Sequence, residues 1–245
     1  TKLMHSSSNL MLADASFTAI EEMLAEKPLA ETKKQPVPQN GEICLNHVSF
    51  QYEAGVKALD DVSLTIRPGT VTALVGESGG GKSTVANLIA RFWDVSEGSV
   101  TVGGVEVREL DYADWMKHIS IVFQDTNLFK MSVAENVAMY KPGASREEIM
   151  EALRQARCED ILEKLPNGVD SVIGARGVYL SGGEMQRIAL ARAILKDAPI
   201  VLLDEATAFA DAENEYLIQK ALDILLHGKT VLMIAHRLYS IQDAD

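Results

Sequence analysis

Val71-Thr-Ala-Leu-Val75-Gly76-Glu77-Ser78-Gly79-Gly80-Gly81-Lys82-Ser83-Thr84 reads as a short buried strand that turns through glycines into a helix. Val85, Leu88, Ile89 and Phe92 continue it at i, i+3, i+4 and i+7, the stripe of a helix packed on one side. From Gly76 to Ser83 the spacing is G-x-x-x-x-G-K-[ST], that of a phosphate cradle. Gly79, Gly80 and Gly81 let backbone N–H groups turn toward α- and β-phosphate with no Cβ in the way, and the helix N-terminus adds partial positive charge. Lys82 is placed to reach β/γ oxygens. Ser83 is placed to give its hydroxyl to a Mg²⁺ bridging the same phosphates, and Thr84 completes the phosphate-binding run. A ligand-free glycine turn is the plain alternative; the Lys-Ser pair and both flanks argue against it.

Two further stretches bear on the same chemistry. Ala198-Pro-Ile-Val-Leu-Leu-Asp204-Glu205 is an uninterrupted apolar run ending in two carboxylates. Such a run implies a strand buried on both faces, as in a parallel sheet, and ligands of parallel sheets sit at the strands' carboxyl ends. Asp204 is placed to hold Mg²⁺ through water, and Glu205 to polarise an attacking water as general base. Leu180-Ser181-Gly182-Gly183-Glu184 has the S-x-x-E form of a capping box, with Ile188, Ala191, Arg192 and Leu195 following at helical spacing. A capped helix explains that pattern by itself. The two glycines do not fit so easily, since each costs about 1 kcal/mol in a helix, unless an anion must approach the backbone there.

With these motifs in this order, the sequence resembles the nucleotide-binding domain of an ATP-binding cassette (ABC) transporter, from about Gly41 to the C-terminus. The resemblance implies an α/β fold: a P-loop NTPase core with a mostly parallel sheet, an antiparallel β subdomain, and an inserted α-helical signature subdomain over about 130–195. It assigns Tyr52 to stacking on adenine. Gln124 becomes the glutamine that touches Mg²⁺ and senses the transmembrane part. Ser181 and Gly183 become signature residues gripping the γ-phosphate of ATP held by the opposite subunit. Asp211 falls at the dimer seam, and His236 contacts γ-phosphate and orders the attacking water. The implied ligands are ATP and Mg²⁺. The implied catalytic set is Glu205, His236, Lys82 and Gln124, with Tyr52 and the cradle from Gly76 through Gly79–Thr84 binding nucleotide and Ser83, Gln124 and Asp204 serving the metal. The implied partners are a transmembrane domain and a second nucleotide-binding domain, identical or paralogous, at the cytoplasmic side of a membrane, bacterial inner membrane being the expectation.

Three positions depart from the family pattern. Glu184 stands where the signature usually has Gln; it keeps the capping geometry but adds negative charge near a phosphate site, with little loss expected because a carboxylate favours a helix start. Phe209 lies in Ala206-Thr-Ala-Phe-Ala-Asp211, where the family more often ends the run with Ser-Ala-Leu-Asp. Ala175 stands where exporter-type cassettes commonly place a glutamate that serves coupling. The run around Phe209 also resembles a siderophore-handling bacterial subgroup.

Composition agrees. The chain has 245 residues, 47% hydrophobic, enough for a sizeable core. With 35 acidic against 23 basic residues, net −12, a nucleic-acid-binding surface is disfavoured. Cys44 and Cys158 are far apart with no metal-ligand spacing, which reads as a reduced chain. No apolar run reaches the roughly 20 residues that span a bilayer. Leu10, Phe17, Ile20 and Leu24 give Ser8 to Glu26 a helical stripe, followed by a linker with Pro28, Pro36 and Pro38. Residues 1–40 are therefore expected to be either the extension of a missing transmembrane domain with its linker or a cap helix. Residues 41–245 are the expected nucleotide-binding domain, truncated at its C-terminus. Val100–Val102 and Val105–Val107 read as a hairpin; Val133–Ala138, Arg146–Arg157 and Ile161–Leu165 read as helices. Two other functions fit the same motifs: a cassette that binds ATP without hydrolysing it, as the regulatory half of a heterodimer, and a soluble ABC ATPase. The second would want coiled-coil insertions, twin cassettes or a basic surface, and the sequence carries none.

Overall fold

The computed structural model describes residues 14–21, 23–25, 29, 34–38, 41–52, 55–123, 126–174, 178–204 and 212–235. The chain divides into two units, residues 1–30 and 31–245. In the first, residues 14–21 and 23–25 are helical (α1), and the striped residues Phe17, Ile20 and Leu24 are exposed, as is Met23.

In the second unit, one sheet is antiparallel. Strand β1 (Ile43–Gln51) lies between β2 (Lys57–Ile66) and β4 (Glu97–Val102), and β5 (Val105–Glu106) folds back on β4. The β4–β5 turn is Gly103-Gly104, with φ of 54° and 82°. Both central residues are left-handed, as the tightest hairpin turns require.

The second sheet is parallel, in the order β3 (Val71–Val75), β10 (Thr230–Ala235), β9 (Ile200–Asp204), β6 (Ile119–Val122). Its pleat divides the core in two. Ile200 and Leu202 of β9 pack with the antiparallel sheet and with Val85, Leu88 and Ile89 of helix α2 (Lys82–Ile89). Val201 and Leu203 face the other way, into a cluster with Ile188, Ala191 and Leu195. Successive strand residues point to opposite faces, so a fully apolar β9 is what two buried faces demand.

The second cluster is built by helices. α4 (Val133–Ala138), α5 (Arg146–Gln155) and α6 (Glu159–Lys164) precede α7 (Gly182–Lys196), which packs on α4, α5 and α8 (Ala212–Leu226). A two-stranded pair, β7 (Met131–Ser132) with β8 (Val172–Ile173), closes this region. Buried Asn136 ties it to α7: its Oδ1 accepts from Phe129 N at 2.9 Å, and its own carbonyl accepts Arg192 Nε at 2.9 Å. On the other side of the sheet, helix α3 (Tyr112–His118) is fixed by wholly buried Trp115, whose Nε1 donates to Ile89 O at 3.0 Å.

Two helices stop earlier than their apolar stripes. α2 ends at Ile89, before Phe92, and α5 ends at Gln155 rather than Arg157. In both, a nearby arginine turns left-handed, Arg91 at φ 55° and Arg157 at φ 59°. Neither is a residue type that announces such a turn, and a backbone bond across it closes each helix, Phe92 N to Asn87 O at 2.9 Å and Cys158 N to Leu153 O at 3.0 Å. Residues of the proline-containing stretch also meet this unit: Gln35 bridges Leu110, its N donating to Glu109 O at 2.7 Å and its O accepting from Asp111 N at 2.8 Å.

Candidate functional site

The carboxyl ends of the parallel strands share one edge. Val75 pairs with Ala235, and Asp204 with Ile234. The loop after Val75 runs into α2, whose N-cap is Gly81 at φ 78°. A side chain there is excluded twice: the conformation is left-handed, and a Cβ would lie 2.5 Å from Ala58 O. The start of α2 carries no side-chain cap and no acidic residue in its first turn. Its leading N–H groups thus face outward without an internal carboxylate, the arrangement an anion needs. Lys82 is folded back on the loop, its Nζ donating to Gly76 O at 2.9 Å and Glu77 O at 2.7 Å. Those two bonds hold the ammonium over the cradle.

Tyr52 leans over the same loop. Its hydroxyl donates to Thr84 Oγ1 at 3.3 Å and accepts from Asn87 Nδ2 at 3.3 Å. Its ring meets Phe50 and Trp93 edge-on, with centroids 4.8 and 5.4 Å apart, and stays 46% exposed. That exposed ring area is open to a planar ligand. Tyr52, Ser78, Gly79–Thr84 and Asp204 line one cleft of about 360 Å³, with Ala58 in its wall. The carboxylate at the end of β9 is thereby brought to the cradle despite the long stretch of chain between them.

Ser181 and Gly183 occupy a different place. They begin α7 and are not among the residues lining that cleft. The capping box is complete: Ser181 Oγ accepts from Glu184 N at 3.3 Å, and Glu184 Oε2 accepts from Ser181 N at 2.8 Å. The other carboxylate oxygen, Oε1, accepts from Lys164 Nζ at 3.0 Å. Burial works to raise the Glu184 carboxyl, but the Ser181 N–H, Lys164 and the Ser181 hydroxyl outweigh it and hold it below its ordinary range. Gly183 has its own packing reason: a Cβ there would lie 2.6 Å from Asn214 Cβ on α8. Asn127 and Phe129 line a second hollow of about 500 Å³ that also reaches Asp204.

Gln124, Ala175, Glu205, Phe209, Asp211 and His236 lie outside the described residues. Four contributors had no signal in the sequence motifs: Ala58, Asn87, Trp93 and Lys164. Each reaches its place through tertiary packing, so no local spacing marks it.

A family model described as ABC transporter matches residues 59–208, from β2 past Asp204. The chain is 52% identical over 205 residues to the mycobactin import ATP-binding/permease protein IrtA of Mycolicibacterium thermoresistibile, covering 84% of this chain and 22% of that protein. It is 48% identical over 208 residues to the ATP-dependent lipid A-core flippase of Vibrio cholerae, covering 84% of this chain and 36% of the flippase. Among solved structures, a bacterial Atm1-family ABC exporter with ATP bound superposes with a TM-score of 0.84 at 34% identity, over 98% of this chain and 42% of the exporter chain. The chain therefore spans between about a fifth and two fifths of the length of these relatives. The matched stretch contains the cradle, the capped start of α7 and the β9 carboxylate, and the chain belongs to the ABC transporter family.

Proposed function

We propose that this chain is the ATP-binding and ATP-hydrolysing part of a membrane transporter, working as one of two nucleotide-binding domains. The observation that carries this is the shared cleft: an uncapped helix start, an ammonium, a half-exposed aromatic ring and a strand-end carboxylate all face one volume. Tyr52 takes the adenine on its open face. The N–H groups of Gly79–Thr84 hold the phosphates, and Lys82 trades the Gly76 and Glu77 carbonyls for β/γ oxygens.

Ser83 and Asp204 offer a hydroxyl and a carboxylate to the same cleft. These hard oxygen donors, few in number, fit Mg²⁺, which takes its remaining ligands from phosphate and water. Gln124 is assigned to the same ion. When bound, Mg²⁺ neutralises charge on the phosphates. Glu205 follows Asp204 directly in the chain and His236 follows Ala235, and Asp204 and Ala235 end strands at the edge that bears the cleft. Glu205 accepts the proton of the attacking water, and His236 orients that water against the γ-phosphate.

Ser181 and Gly183 lie away from their own subunit's cleft, which suits a role on the partner's nucleotide. Two domains close head to tail, each presenting its α7 start to the other's γ-phosphate, and hydrolysis reopens them to move attached membrane helices. The partners are thus a second nucleotide-binding domain and a transmembrane domain, with this chain on the cytoplasmic side. For cargo, we assign the siderophore class, supported by the identity to the mycobactin importer and by Ala206-Thr-Ala-Phe209-Ala-Asp211.

The test is ATP turnover by the full-length transporter in proteoliposomes, alongside movement of a ferric siderophore. Mg²⁺-dependent hydrolysis that Glu205→Gln abolishes, with siderophore movement coupled to it, is the expected result. Hydrolysis without siderophore movement removes the cargo assignment alone. Nucleotide binding without turnover favours a regulatory half.

A further inference from the structure

Four charged side chains alternate in sign along the face where α6 meets α7. Arg187, 1% exposed, holds Asp160 with its two terminal guanidinium nitrogens, at 2.6 and 2.9 Å. Asp160 lies 3.9 Å from Lys164 Nζ. Lys164 reaches across to Glu184, whose side chain is 13% exposed, at 3.0 Å. Glu184 ends the chain by taking the Ser181 N–H.

The two other capping boxes of this subdomain provide an internal reference. Ser132–Glu135 opens α4 and Ser145–Glu148 opens α5 with the same reciprocal bonds. Glu135 has no basic partner among the bonds seen here, its second contact being the Ser132 hydroxyl at 2.8 Å. Glu148 meets Lys141 at 2.6 Å, but both side chains are about half exposed. Of the three boxes, only that of Glu184 is half-hidden and joined, through Lys164 and Asp160, to a buried arginine.

We infer that Lys164 is a positioning residue for nucleotide binding: it cancels the charge of Glu184, so that the start of α7 can accept a phosphate beside a carboxylate. This rests on the assignment of Ser181 and Gly183 to the partner's γ-phosphate. A carboxylate close to an arriving polyanion repels it, and the repulsion is large where solvent is partly excluded. Lys164 turns the box into a neutral pair. Lys164 holds Oε1 from α6, leaving Oε2 to the Ser181 backbone while the Ser181 hydroxyl caps Glu184 N. At 67% exposure its side chain contributes little to folding, since exposed ion pairs are weak. Its effect belongs to the ligand.

The experiment is a double-substitution cycle in the full-length transporter: ATP turnover against ATP concentration for wild type, Lys164→Met, Glu184→Gln and the pair. Lys164→Met is expected to raise KM for ATP about fivefold with kcat nearly unchanged, because the lost term acts on bound nucleotide and transition state alike. In the Glu184→Gln background the same change is expected to move KM less than about twofold, there being no carboxylate left to cancel. Lys164→Arg should keep the wild-type KM, and added salt should shrink the Lys164→Met effect. Equal KM shifts in both backgrounds, or no shift in either, would overturn the inference. A fall in kcat with an unchanged KM would do the same, as it would mark a structural role. A wild-type transporter without ATP turnover would overturn the proposed function and this inference together, whereas additive substitutions in an active transporter overturn this inference alone.

Discussion

Helices α2 and α7 both start on glycines, yet their first turns are built in opposite ways. α2 begins at left-handed Gly81 with no side-chain cap and no acidic residue. α7 begins at Ser181 with a closed box and a carboxylate in place. The first is an anion site prepared in advance: its N–H groups have no internal acceptor to give up. The second already satisfies itself, so a phosphate must either share Ser181 or displace it. A permanent grip on nucleotide and a conditional one are therefore distinguished by the cap, and conditional contact is what a dimer that opens and closes requires.

Breaking the prepared site has the largest consequence. Gly81→Ala forces a Cβ to 2.5 Å from Ala58 O and 2.7 Å from Leu59 Cδ2 at a left-handed φ. Because the nearest atom is backbone, the strand or the loop has to shift, at an expected cost of about 2–3 kcal/mol of stability. ATP turnover should fall at least ~100-fold, as when preorganised phosphate or oxyanion donors are lost. Gly183→Ala makes the weaker contrast: its Cβ would also clash, at 2.6 Å from Asn214 Cβ, but its φ is not left-handed as that of Gly81 is. A stability loss of about 1–2 kcal/mol is expected there. Calorimetry and turnover on both variants would sink the contrast if Gly183→Ala proved the more damaging.

Next in size is the comparison of caps. Ser145→Ala and Ser181→Ala each remove a hydroxyl that accepts a backbone N–H, at 3.2 and 3.3 Å. Each should cost about 1 kcal/mol of stability. Only Ser181→Ala should also weaken ATP-driven dimerisation, because only that hydroxyl is assigned a phosphate. Matching dimerisation in the two variants would reduce Ser181 to a cap.

The same contrast explains what the sequence made legible. The cradle could be read because its parts are consecutive, and each glycine has a local cause. β9 could be read because four successive buried positions, Ile200 to Leu203, leave no alternation to misjudge. The Ser181–Glu184 box was legible from its spacing, and its two bonds form as the spacing requires. Lys164 was not, because it lies on another helix and meets Glu184 only once α6 packs on α7. Helix ends were hidden for a related reason: Arg91 and Arg157 adopt left-handed turns that nothing in an arginine foretells. The aromatic at Tyr52 came from resemblance, while its neighbours Trp93 and Asn87 needed the folded sheet. Gly183 shows how a true motif can carry a second cause, since close packing on α8 requires a glycine there whether or not phosphate comes.

The smallest effect sharpens the comparison through acid. Burial pushes the Glu184 carboxyl up, but the Ser181 N–H and Lys164 hold it below the ordinary value. A carboxylate depressed in the folded state contributes stability that is present above its ordinary range, about pH 4.3, and is lost as pH falls through the folded value. Acidification should therefore loosen the start of α7, while α2, with no carboxylate in its first turn, has no such box to lose. Lys164→Met removes one of the influences holding the carboxyl down, so Glu184 should take up its proton at higher pH in that variant. A carboxyl-carbon NMR titration of Glu184 in wild type and Lys164→Met reads this directly. An unmoved titration, or stability of α7 that rises as the carboxylate is protonated, would mean that Lys164 does not govern this charge, and that the closed box at α7 is no more than a helix cap.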